Sequence, residues 1–173
     1  MLTKKYRIAA CLIAAFALCS WLPAGCAQGT GKMALFNCKE GSFSVMMPGE
    51  PKHTSQSMTA PAGPTTLHSY EVDEGETVYL VTYSDYPTLD AAKSLENGVK
   101  EQAKAMEGKV VSDKSITVNG RPGRRVRIES KEIIALTMIV VSGNRMCQVV
   151  FAGPAGTELP PKAEEFLSSF KIL

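Results

Sequence analysis

From Ser42 onward the chain alternates. Phe43, Val45 and Met47 fall on one face and Ser42, Ser44 and Met46 on the other, the period of a half-buried strand. Pro48-Gly49-Glu50-Pro51 stops it. Residues 55–64 are rich in Ser, Thr, Ala and Pro and read as a loop or an edge run. Residues 65–72 and 77–83 read as strands around the turn Asp73-Glu74-Gly75-Glu76. The period then changes. Leu89, Ala92, Leu95, Val99, Ala103 and Met106 recur at three- and four-residue spacing, the stripe of an amphipathic helix. Pro87-Thr88 offers an N-cap, Asp90 suits the positive helix start, and Gly108 is a natural terminator. Gly98 inside the stripe costs about 1 kcal/mol relative to alanine and predicts a bend.

Four more strands follow at 110–118, 123–130, 133–141 and 146–152. Asn119-Gly120 and Gly143-Asn144 are tight-turn pairs between them. Residues 133–141 are apolar on both faces, as a central strand is when both sides of its sheet are covered. Pro160-Pro161 opens a last helix with Ala163, Phe166, Leu167 and Phe170 on one face. The order β–β–β–α–β–β–β–β–α with hairpin-length links predicts an α+β fold. It is a mainly antiparallel sheet of about six to seven strands with helices packed on it, forming one domain over residues 42–173.

The amino end reads differently. Lys4, Lys5 and Arg7 precede residues 8–22, an uncharged apolar run of 15 residues. A spanning helix needs roughly 20. A basic start, a short apolar core and small residues after it describe a secretory signal peptide over residues 1–25. Leu22-Pro23-Ala24-Gly25-Cys26 resembles the lipobox of bacterial lipoproteins, with Pro23 where that family favours leucine. The resemblance implies cleavage before Cys26 and lipid on its sulfur. Residues 26–41 are then the lipidated cysteine and its tether. Ala27, where an aspartate would signal inner-membrane retention, points to an outer membrane facing the periplasm. Ordinary cleavage after Ala27 is the alternative and gives a freely secreted protein.

Loss of the signal changes the charge. Its three basic residues leave 16 of the 19 Lys and Arg against 17 Asp and Glu. A near-neutral domain predicts no nucleic-acid partner, which would want a basic excess. Cys11 and Cys19 leave with the signal. If Cys26 carries lipid, Cys38 and Cys147 remain, either as a disulfide or as two unrelated small residues. A bridge closing so long a loop would contribute up to about 4–5 kcal/mol. The cysteines are not closely spaced and His53 and His68 stand far apart in sequence, so no metal site and no cofactor are expected.

No Gly-x-Ser-x-Gly elbow, phosphate-cradling loop or His-Glu-x-x-His occurs, and the expectation is a protein that is not an enzyme. His53 reads as solvent-facing and His68 as a polar neighbour within a strand. Glu164-Glu165 reads as a solvated helix face and Glu71, Asp73, Glu74 and Glu76 as a hairpin tip. The stronger candidate is Arg121, Arg124, Arg125 and Arg127. Arginine forks suit carboxylate or phosphate, so these residues are a candidate anion or partner-binding patch. Alternation puts Arg125, Arg127 and Glu129 on one strand face and Arg124, Val126 and Ile128 on the other. Charge protection of an edge strand, or cross-strand pairing with acids, is the competing reading.

FSVMMPGEP, VNGRPGRRVRIE and FLSSFKI, in that order over roughly residues 43–173, resemble small secreted bacterial proteins of the PsbP-like α/β/α sandwich type. That fold group includes the photosystem II subunit PsbP and a Ran-binding nuclear transport factor. The resemblance implies a fold and a binding or assembly role, and carries over no catalytic or ligand residue. The expected function is therefore a membrane-tethered envelope module that binds another envelope protein. A carrier of a small apolar ligand between sheet and helices is the alternative. The eight methionines would give such a carrier adaptable packing.

Overall fold

The longest apolar run in the domain, Ile133–Ser142, is buried at every position but its last. It lies inside a sheet covered on both faces. The computed structural model describes residues 31–60 and 63–173. In chain order it runs β1 (Ala34–Cys38), β2 (Phe43–Met47), β3 (Lys52–Ala60), β4 (Gly63–Asp73), β5 (Val78–Asp85), α1 (Ala91–Ala105), β6 (Lys109–Val118), β7 (Arg121–Glu129), β8 (Ile133–Ser142), β9 (Arg145–Pro154), α2 (Pro161–Ser169) and β10 (Lys171–Ile172). Seven strands form one antiparallel sheet in the order β3-β4-β5-β9-β8-β7-β6. β1, β2 and β10 form a second, smaller antiparallel sheet. The expected α+β class and antiparallel sheet are therefore present.

Each face of the large sheet has its own core. One carries Tyr79, Val81, Met138, Val149 and Phe151 against α2 and the small sheet. The other carries Leu80, Val126, Ile128, Ile139 and Val150 against Leu95, Val99 and Met106 of α1. Two-sided cover is why β8 is apolar at all but Thr137 and its last residue.

Four details depart from the sequence reading. The cap of α1 is Asp90, whose Oδ1 accepts the Lys93 amide at 3.1 Å; Pro87-Thr88 lies outside the helix. The buried stripe runs through Leu95, Val99, Gln102 and Met106, while Ala92 is exposed. Gln102 enters the core because its Nε2 donates to Thr137 Oγ1 at 2.7 Å. Gly98 has a packing role: a Cβ there would sit 3.1 Å from Ile139 Cδ1, so glycine lets α1 settle close to the sheet. The fourth concerns the assigned tether, residues 26–41. It contains a strand, β1, paired with β2 from Ala34↔Met47 to Cys38↔Phe43. The stretch read as loop or edge run is mostly the edge strand β3, paired along its length with β4. Cys26 and the signal segment lie outside the described residues.

Candidate functional site

The arginine row is split by its own alternation. Arg125 and Arg127 lie on the α2 side of β7 and Arg124 on the α1 side. Three of the four meet carboxylates. Arg124 Nε donates to Asp113 on β6 at 2.7 Å, Arg125 pairs with Glu164 of α2, and Arg127 Nε donates to Glu129 at 2.7 Å. Arg121 is exposed at the start of the strand. The candidate four-arginine patch is therefore divided, and three of its members pair with acids, one of them across the β6–β7 ladder. Exposed pairs of this kind each contribute about 0–1 kcal/mol.

Arg125 also borders a groove of about 350 Å³, which opens where the far ends of β6 and β8 meet α2. Its lining mixes apolar Ile116, Val118 and Leu167 with polar Asn119 and Ser168, and Arg125 and Lys171 border it. The chain builds it simply. α2 ends at Phe170 in an extended conformation, and β10 crosses to the small sheet. The Ile172 amide donates to Asn119 Oδ1 at 3.2 Å and closes one end. Asn119 and Gly120 both hold positive φ, 47° and 77°, in the tight β6–β7 turn that carries that oxygen. Lys171 has no ion pair among the described residues.

Cys38 and Cys147 are both buried free thiols on the same face of the fold. Of the two readings, disulfide or separate small residues, the structure holds the thiols. Cys38 Sγ accepts the Gly41 amide at 3.2 Å. Burial pushes the Cys147 thiol up to about 12, so at neutral pH it is a protonated, weakly nucleophilic packing group. Tyr83 faces Cys147 across the β5–β9 ladder. Arg145 stacks 4.8 Å above the Tyr83 ring, donates twice to Asp85 at 2.7 Å, and donates to the Glu40 carbonyl at 3.1 Å. It thus fastens the β1–β2 turn to the large sheet.

Arg145→Ala is expected to cost about 1–3 kcal/mol in urea unfolding at pH 7, from the lost cation–π contact and hydrogen bonds. The Arg145 hydrogen bonds hold the Asp85 carboxyl below its ordinary value. A depressed carboxylate contributes stability above its unfolded value near 4 and loses it as pH falls through the folded one. The difference between wild type and variant should therefore shrink between pH 5 and pH 3, by no more than about 1 kcal/mol because Asp85 is largely exposed.

The largest correction concerns the histidines. They are 15 positions apart, yet the β3–β4 hairpin brings His53 Nε2 to 3.4 Å from His68 Nδ1. His53 stacks on its cross-strand partner Tyr70 with ring centroids 4.5 Å apart, and His68 stacks on Tyr83 at 4.6 Å. Sequence reasoning missed this because residues 55–64, read as a loop or an edge run, were not paired with the strand that carries His68. The signal was available in the turn-forming residues Pro61-Ala62-Gly63-Pro64, which permit a hairpin.

Seven antiparallel strands with a helix on one face and a helix and a small sheet on the other make this a PsbP-like fold. The chain is similar to the solution structure of cyanobacterial PsbP (CyanoP) from Synechocystis sp. PCC 6803. The identity is 10%, the match covers 90% of this chain and 99% of that one, and the TM-score is 0.57. A Bacteroides thetaiotaomicron VPI-5482 crystal structure aligns at 11% identity over 85% of this chain and 49% of that one, with a TM-score of 0.49. This chain therefore spans about half the length of that protein. No family model matches the chain, and no curated protein sequence matches it. At such identities the likeness is one of fold.

Proposed function

We propose that this protein is a non-catalytic binding or assembly module of the bacterial cell envelope, held at a membrane by lipid on Cys26. The observation that carries the binding role is the groove beside α2. Its lining of apolar and polar side chains is bordered by two cationic ones, Arg125 and Lys171. That arrangement fits a protein segment presenting an apolar side chain next to a carboxylate. Lys171 supplies the unpaired charge, and Glu164 holds Arg125 at the rim. The interior of the sandwich is filled by Phe43, Tyr79, Phe151 and Phe166, each at most 1% exposed, which weighs against a carrier of apolar ligands.

The address rests on Leu22–Cys26 and the basic-then-apolar segment before it. Two or three acyl chains give stable anchoring where one gives only marginal binding. An outer membrane facing the periplasm is the location this reading favours, and a secreted form follows if cleavage falls after Ala27. The reading calls for no cofactor and no nucleic-acid partner.

A photo-crosslinking residue in place of exposed Ser168, which lines the groove, tests it in living cells. One discrete protein adduct is expected, reduced about tenfold by Lys171→Glu through charge reversal. No adduct, or an adduct of equal yield in the variant, would remove the groove from the account.

A further inference from the structure

We propose that His53 and His68 form a two-imidazole site for a divalent transition metal of the Zn²⁺ class. The 3.4 Å between His53 Nε2 and His68 Nδ1 is long for a hydrogen bond between ring nitrogens. It matches the separation of two ligands on one tetrahedral ion: with Zn–N bonds of 2.0–2.1 Å, neighbouring nitrogens stand about 3.4 Å apart. Both rings lie on the same face of adjacent strands and are nearly parallel, with 8° between their planes. Binding would require each ring to turn about its terminal side-chain torsion, which is broad for histidine, so that both lone pairs meet a shared ion.

The pair is also held in place. His53 rests on Tyr70 and His68 on Tyr83, and these tyrosines are 7% and 3% exposed. A buried ring beneath each ligand limits the freedom lost on binding. Asp85, the acid whose titration responds to His68, is itself paired with Arg145, so the nearby charges largely cancel. Among the described residues no group of three His, Cys, Asp or Glu converges. The remaining coordination positions therefore belong to water, and the site is open rather than a closed structural one. Imidazole ligands select Zn²⁺, Cu²⁺ or Ni²⁺ over Mg²⁺ and Ca²⁺, which want oxygen. A bound ion would join edge strand β3 to β4 through side chains as well as backbone.

The chain holds two histidines, which makes the test clean. Untagged full-length protein in detergent is titrated with Zn²⁺ while the histidine ring signals are followed by NMR and the heat by calorimetry. Both ring signals should shift together and saturate at one ion per chain, with excess Mg²⁺ causing no change. His53→Gln and His68→Gln should each weaken binding at least about tenfold, as expected when one arm of a chelate is lost. Absence of saturable binding, a shift of only one histidine, or binding within twofold of wild type in either variant would overturn the proposal. The wild-type NMR result stands by itself if a variant fails to fold.

Discussion

Phe166→Ala is expected to cost this fold about 3–5 kcal/mol, a large share of the 5–15 kcal/mol that typical domains possess. Phe166 is fully buried. Its ring meets Tyr79 edge-on with centroids 5.3 Å apart, and Tyr79 meets Phe151 at 5.2 Å. Burial pushes the Tyr79 hydroxyl up to about 12. α2 is only nine residues long, and so short a helix is marginal without packing. Ala163, Phe166, Leu167 and Phe170 are what dock it. The same helix supplies Leu167 and forms one wall of the groove, so the binding surface should weaken with the core. Thermal unfolding should fall by roughly 10 °C, while exposed Leu173→Ala should change stability by no more than about 0.5 kcal/mol. A loss below about 1 kcal/mol for Phe166→Ala would mean that α2 is not held by this face.

The sequence made the central strands legible because burial writes itself into them. β8 is apolar at all but Thr137 and its last residue, and Phe43, Val45 and Met47 mark β2. Both helices were visible from their stripes, and Asn119-Gly120 and Gly143-Asn144 marked two hairpins. The margins were less legible. β1 buries only Cys38 fully, so its pattern carries little hydrophobic signal, and its strand geometry comes from pairing with β2. β3 is exposed at seven of its nine positions, with Met58 and Ala60 half-buried, and owes its form to the β4 backbone. The histidine pair depends on that one strand. The arginine row shows the opposite case. Its alternation was readable, and it placed Glu129 beside Arg127, but Asp113 and Glu164 come from β6 and α2, elements that only the tertiary fold brings near.

The second large effect concerns Cys26. If its sulfur carries diacylglycerol, Cys26→Ala removes every acyl chain at once, because the anchor has no other attachment. Covalent lipid contributes about 0.8 kcal/mol per buried CH₂, so loss of the chains should move the protein from the membrane fraction almost completely. Among the described residues no helix is long and apolar enough to cross a membrane. The domain itself should remain folded, since Cys26 precedes β1 and its core. Cells fed a fatty-acid analogue provide the most direct measurement. The account predicts strong labelling of the wild type, none of Cys26→Ala, and a mature amino terminus at position 26. Equal labelling of the two proteins, or no labelling of the wild type, would contradict it.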